Sequence, residues 1–281
     1  MALEAENAGK STAVIERSWT ADDVILYALG VGAGQRDPAD ELFLTTENSR
    51  GAELAAVPSF ANMLAIPDAY TLMGDVDLSK LLHASQEFEI HSRIPVSGTA
   101  RIVATLAGLY DKGPAAVGVI ETVATDAATG VALMTSRNTI YVRDAGGFGG
   151  DRGPSDKWEA PDRPVDFRVE AEIPRDQALL YRLTGDRNPL HSDPEFAKRA
   201  GFDTPILHGM CTYGYTARIL LHEVCDSAVD RFQGMSARFS RPVLPGQTIV
   251  VEGWADGAVV RFRTLSQGSV VIDRGVLNRK P

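Results

Sequence analysis

Cysteine is scarce in this chain: two in 281 residues, Cys211 and Cys225. Both fall in one segment of helical spacing, where fourteen positions at 1.5 Å each separate them by roughly 21 Å, far beyond disulfide reach. Two unpaired thiols fit a reducing compartment. Positive charge is also short, with a formal net charge of −9, so no general affinity for nucleic acid or anionic membrane is expected. There is no run of 18 apolar residues and hence no membrane span. The opening MALEAENAGKSTAVIERSW carries early acidic residues and no apolar centre, unlike a secretory signal. The closing NRKP is not a peroxisomal address of the SKL kind. A cytoplasmic protein is expected. Several catalytic signatures are missing as well: GxxxxGK[ST], GxSxG, HExxH and any cysteine-rich metal pattern. GVGAGQ (Gly30–Gln35) is glycine-rich but is not GxGxxG after a strand, so no dinucleotide site is expected. Of the five histidines, His83, His91, His191, His208 and His222, none stands at metal-ligand spacing with two other good ligands. Neither a metal nor another cofactor is expected.

What is present is an ordinary globular composition, 44% hydrophobic and 23% charged, in a chain long enough to bury a substantial core. Residues 144–163, DAGGFGGDRGPSDKWEAPDR, read as a linker, with GGFGG (Gly146–Gly150) as a hinge. The two sides of it look alike. YALGVGAG at Tyr27 parallels YRLTGDRN at Tyr181, and SRIPVSGTARIVA at Ser92 parallels SRPVLPGQTIVVEG at Ser240. The offsets, 181 − 27 = 154 and 240 − 92 = 148, describe a duplication with small insertions. Residues 1–143 and 164–281 are therefore read as two repeats. Helical pieces are expected at Ala21–Ala28 and Arg175–Leu183, and a longer helix at Met210–Val224, where Met210, Tyr213, Ala217, Leu220, Leu221 and Val224 follow a 3,4 spacing. Strands follow at about Arg231–Arg241, Thr248–Ala255, Ala258–Leu265 and Ser269–Leu277 in the second half. In the first they fall at about Gly98–Tyr110, Ala115–Thr125 and Ala132–Arg143. One long helix per half with a meander around it predicts an α+β layer arrangement.

The densest chemistry lies in GDRNPLHSDP (Gly185–Pro194). Asp186, Asn188 and His191 fall within six residues of a loop forced by Gly185 and Pro189, where a carboxylate and an imidazole can converge on one water. A purely structural loop, with Asp193 or Ser192 capping a helix that starts at Pro194, is the competing reading. Next comes TPILHG (Thr204–Gly209), leading straight into the long helix. The Gly209 N–H at that helix start can hold a developing oxyanion, and a glycine lets a carbonyl approach closely. His208 beside it reads as a supporting residue rather than a catalyst.

YRLTGDRNPLHSDPEFAKRAGFDTPILHGMCTYGYTA (Tyr181–Ala217) closely resembles the hydratase 2 motif of MaoC-like, R-specific 2-enoyl-CoA hydratases. YALGVGAG, LLHASQ (Leu81–Gln86), DKG (Asp111–Gly113), GGFGG and SARFSRPVLPGQT (Ser236–Thr248) extend the resemblance over almost the whole chain, to the two-repeat members such as the hydratase part of peroxisomal multifunctional enzyme type 2. The resemblance implies a double hotdog fold, two repeats each with a long helix wrapped by an antiparallel sheet, and a homodimer. It implies Asp186 and His191 as the catalytic pair, Asn188 as their support and Gly209 as the oxyanion donor. An acyl-CoA thioester would be contacted by His83, Ala84, Lys112, Arg187, Pro189, Leu190 and Phe239. Three positions depart from the pattern: Ala84 stands where glycine is usual, Ser85 where glutamate is, and Arg187 where an aromatic is frequent. Aligning Tyr27 with Tyr181 puts Gly32, Gly34 and Asp37 at the catalytic positions, so the first repeat lacks the set and would serve as acyl pocket.

The implied reaction is syn addition of water to a trans-2-enoyl-CoA, giving a (3R)-3-hydroxyacyl-CoA, with either Asp186 or His191 activating the water. Dehydration of an acyl-carrier-protein thioester and non-catalytic acyl-CoA binding are the alternatives.

Overall fold

The computed structural model describes residues 3, 5–66, 68–77, 80–154 and 158–280. Parts of the readings above lie outside these: residues 1, 2 and 4 of the opening, Pro67, 155–157 of the linker and Pro281.

Period-2 alternation between glycine, proline and aspartate turns makes strands here, as in VVRFRTLS, whose residues alternate half-buried and buried along their whole length. Among the described residues ten strands result: β1 (Ile15–Trp19), β2 (Leu81–Ile90), β3 (Gly98–Asp111), β4 (Ala115–Asp126), β5 (Ala132–Arg143), β6 (Phe167–Glu172), β7 (Phe232–Phe239), β8 (Thr248–Asp256), β9 (Val259–Ser266) and β10 (Ser269–Arg279). They join in one sheet, ordered β1-β3-β4-β5-β2-β7-β10-β9-β8-β6. The order is a palindrome: each strand of the first repeat occupies the place its counterpart holds in the second. The seam is the antiparallel pair β2–β7, where Gln86 faces Ala237, 237 − 86 = 151 positions away. That separation falls between the two sequence offsets, so the repeats meet across a local dyad. The duplication is thus visible as symmetry, and the fold is a double hotdog.

The helices are α1 (Ala21–Gly30), α2 (Leu42–Thr45), α3 (Gln177–Tyr181), α4 (Pro194–Arg199) and α5 (Gly209–Cys225). A capping box starts α1: Thr20 accepts from the Asp23 N–H, and the Asp23 carboxylate accepts from the Thr20 N–H at 2.8 Å. The seventeen residues of α5 are buried on nearly every side, from Cys211 through Cys225, as suits a helix enclosed by a sheet. Tyr213 sends its hydroxyl to the Met235 carbonyl at 2.7 Å, fastening α5 to β7.

The first repeat departs from its twin at the corresponding helix. There the chain forms only a seven-residue 3-10 helix, Pro58–Leu64, ended by extended Ala65. The cause is local: Pro58 starts the helix without an N–H to donate, and Ile66 precedes a proline in the sequence, which disfavours helical backbone. The linker also differs from expectation. Its glycines are held rather than hinged, because the nearly buried Asp111 carboxylate accepts the N–H groups of Gly113, Gly147 and Gly149 at 2.8–2.9 Å. Those donors hold the Asp111 carboxyl below its ordinary value, the Gly147 N–H contributing most.

Candidate active site

The loop between α3 and α4 is shaped by its own side chains. Asn188 caps a short turn, Pro189–His191, by accepting the Leu190 N–H at 3.0 Å, and Asp186 accepts the Asn188 N–H at 3.1 Å. Asp193, rather than Ser192, caps α4 and accepts from Glu195 and Phe196. The Asn188–Pro189 turn swings His191 inward to 8% exposure while Asp186 remains at the surface.

The His191 ring is fixed from behind. Its Nδ1–H donates to the Ile206 carbonyl at 2.9 Å, which leaves Nε2 as the lone-pair nitrogen of the neutral ring. Burial lowers its pKa from the ordinary value, only partly opposed by the Ile206 bond and the Asp186 charge. A neutral imidazole with its free nitrogen beside an exposed carboxylate is a proton acceptor ready at neutral pH.

Gly209 is the first residue of α5. Cys211 and Thr212 N–H turn back to the His208 carbonyl at 3.1 and 3.2 Å, and among the described residues no partner is formed for the Gly209 N–H. A Cβ at Gly209 would lie 3.3 Å from the Phe239 ring, so a larger residue would crowd both ring and amide. Phe239 ends β7 and packs against His83 of β2 at 4.7 Å between ring centroids. His83, fixed by a 3.1 Å bond between Nε2 and the Ser85 carbonyl, has its pKa lowered to about 4 by burial. Asp186 is among the charges that act on it, so the first repeat contributes a wall of the site. Ala84 is the bulged residue between His83 and Ser85, where the β2–β5 register shifts.

The remaining sequence candidates spread outward. Arg187 and Pro189 are exposed on the loop and Leu190 is half-buried. Lys112 lies in the β3–β4 turn, with Nζ donating to the Arg152 carbonyl and 5.8 Å above the Tyr110 ring. His83, Ile140, Gly118 and Leu109 are successive partners across β2, β5, β4 and β3. Three strand spacings of about 4.8 Å therefore separate His83 from Leu109, and Lys112 stands beyond that, away from the acid–base loop.

Two features escaped the sequence reading. His208 is stacked on His191, ring centroids 3.7 Å apart, so Asp186, His191 and His208 bring donor atoms within 4.8 Å of one another. Sequence spacing hid this cluster, because its third member returns only after seventeen residues. Met63 is the other: its terminal methyl lies 3.5 Å from where a Cβ would stand on Gly185, which sets the first repeat's 3-10 segment beside the Asp186–His191 loop.

The corresponding loop of the first repeat is filled. A Cβ on Gly32, where φ is +86°, would meet the Tyr215 ring at 2.3 Å. The Tyr215 hydroxyl bonds Gln35 at 2.9 Å. Arg218 of α5 donates to the Val31 carbonyl and to both oxygens of Glu41, which also accepts from Gly34 and His222.

Among the described residues, a ten-stranded duplicated sheet with one Asp/His loop, walled by both repeats and set at the start of the single long helix, defines a MaoC-like double-hotdog protein. The MaoC like domain model matches residues 156–274, and that of the MFE-2 hydratase 2 N-terminal domain matches residues 18–144. The chain belongs to the hydratase 2 family of MaoC-like proteins. It is 45% identical to enoyl-CoA hydratase ChsH3 of Mycobacterium tuberculosis, over 86% of each chain. It is 39% identical to 3-hydroxyacyl-thioester dehydratase Y of the same organism, over 99% of this chain and 98% of that one. Full-length peroxisomal multifunctional enzyme type 2 from Drosophila melanogaster superposes with a TM-score of 0.82 at 35% identity, covering 95% of this chain and 48% of that one, so the chain spans about half of that larger enzyme.

Proposed function

We propose that the chain hydrates trans-2-enoyl-CoA to (3R)-3-hydroxyacyl-CoA, as in β-oxidation of fatty or sterol side chains, and catalyses the reverse dehydration. The observation that carries the mechanism is the His191 Nδ1–Ile206 bond, which commits Nε2 to accept a proton. Asp186 accepts one hydrogen of a water and aims its oxygen. His191 Nε2 takes the other hydrogen as that oxygen bonds to C3 of the substrate. Electrons of the C2=C3 bond move onto the thioester oxygen, which the Gly209 N–H and the α5 start stabilise. The enolate then recovers the proton from His191 at C2. Hydroxyl and proton come from one side, so addition is syn, and the family resemblance supports the 3R product.

The second repeat supplies the acid–base residues, while the first, with its shortened helix beside Gly185, supports an acyl pocket around Met63. His83, Ala84, Arg187, Pro189, Leu190 and Phe239 would line the thioester end, and Lys112 would meet the distant CoA phosphate. No cofactor has a part in this scheme, so turnover should survive dialysis and EDTA; loss restored by a divalent metal would replace it. The stereochemical test is hydration of crotonyl-CoA by the pure chain. Consumption of the product by a 3S-specific dehydrogenase, rather than a 3R-specific one, would refute the assignment.

A cytoplasmic location is part of this proposal, supported by two buried, unpaired thiols. A homodimer would cover Leu29, Leu179 and Leu183, exposed on the packed α1 and α3 region. Sedimentation equilibrium tests that assembly.

A further inference from the structure

His208 carries three interactions that a space-filling residue would not need. Its Nε2–H donates to the backbone carbonyl of Asp186 at 3.2 Å. One ring face stacks on His191 at 3.7 Å with 27° between planes, and the Tyr181 ring lies 5.0 Å away. With Nε2 committed to a carbonyl, neutral His208 bears its lone pair on Nδ1, which is buried and has no hydrogen-bond partner. An unsatisfied buried polar atom costs stability. Phenylalanine would fill the same volume without that cost, so both the ring and the donor have a reason to be retained.

We propose that His208 is a positioning residue for the acid–base pair: its Nε2–H anchors the Asp186 backbone, and its neutral ring fixes the plane of the His191 imidazole. The inference rests on the hydratase reading above. It explains how Asp186, on an exposed loop, keeps its place relative to a buried ring from the same loop. The groups facing His208 explain its neutrality. Burial comes first, and the His191 ring and Arg182 oppose a proton, while the Asp186 charge and carbonyl favour one; the balance lowers its pKa to about 4. The positive pole of α5, which begins at the next residue, acts in the same direction as burial. When His191 holds the water's proton, its stacked neighbour is therefore an uncharged ring and not a second cation.

Two substitutions separate the functions. His208→Gln keeps an N–H at the Nε2 position and loses the ring; His208→Phe keeps the ring and loses the donor. For His208→Phe, kcat should fall about tenfold with KM little changed, and the acid limb of kcat/KM should stay in place. For His208→Gln, most of the turnover should remain, but the limb should move up toward an ordinary histidine as water reaches His191. On the wild-type protein, nitrogen NMR should show His208 as the neutral Nε2–H tautomer from pH 5 to 8, a readout independent of turnover and of either variant's folding. Failure of the wild type to hydrate any enoyl-CoA would count against the hydratase reading and leave the NMR result standing. A cationic or Nδ1–H His208 in that range, or two variants with wild-type kcat and an unmoved acid limb, would overturn the positioning role.

Discussion

At the scale of single residues, the site depends on how one ring nitrogen is spent. Tying His191 Nδ1 to the Ile206 carbonyl fixes the tautomer before any substrate arrives. Asp186→Asn and His191→Gln should each cut turnover by about a hundredfold or more, the scale for a positioned acid or base. The melting temperature of Asp186→Asn should stay near wild type, because Asp186 is exposed, whereas His191→Gln places its amide at the Nε2 position and gives up the Ile206 bond, at a cost of about 1 kcal/mol. Near-normal turnover in either variant defeats the assignment. Since burial lowers the His191 pKa, the acid limb of kcat/KM should fall below the ordinary histidine value near 6.5. The pair was legible in the sequence because Asp186, Asn188 and His191 lie within six residues and need no tertiary structure to meet. His208 was visible only as the residue before a helix-starting glycine. Its stacking on His191 arises from the return of the chain through Ile206, and no local pattern records that.

Elements were legible where turns are marked. The strands following each central helix in the second repeat, and β3–β5 in the first, lie within two residues of their expected ends, because Asp256-Gly257, Pro245-Gly246 and Asp111-Lys112-Gly113 punctuate them. Strand β2 was not foreseen, and the short opening strands β1 and β6 were read without bounds. Each draws its definition from a partner across the sheet, as β2 does from β7 and β5. The weakened helix of the first repeat has the clearest functional consequence. Ala61 is fully buried in the core, so a larger residue there would overpack it at a cost of about 1–3 kcal/mol. Ala65, half-buried just past the helix end, is the better probe. If the acyl tail lies along this segment, each buried methylene contributes up to about 0.8 kcal/mol, and kcat/KM should rise from four-carbon to ten-carbon enoyl-CoA. Ala65→Phe should then penalise the ten-carbon substrate far more than the four-carbon one. Equal hydration of both chain lengths, or an equal penalty, would leave the first repeat as a structural support only.

For the whole molecule, acid should be the weak point. His83 and His208 have folded pKa values of about 4, below the ordinary 6.5, so the unfolded chain binds more protons between those limits and stability rises with pH there. Their contribution is full above about pH 6.5 and is lost as pH falls toward 4. Glu41 adds to this at lower pH: burial alone would raise it, but bonds from His222, Arg218 and the Gly34 N–H hold it at about 2. Its share is present above the ordinary glutamate value and disappears as pH approaches 2. Thermal melts between pH 7 and 4 should show a steady fall in midpoint, smaller in His83→Gln. A flat profile would mean that neither histidine remains neutral in the folded protein.

The packing of Tyr215 over Gly32 makes the duplication a one-way step. A symmetric ancestor with two working loops would bind two thioesters per chain, but here the second berth is occupied by the protein's own α5. Writing Asp, Asn and His back into positions 32, 34 and 37 would not revive it, because even a methyl group at 32 would meet that ring at 2.3 Å. A tight thioester analogue should therefore saturate each chain at a single equivalent. The two repeats are thereby unequal, the first loop filled at Gly32 by Tyr215 and the second exposed at Asp186.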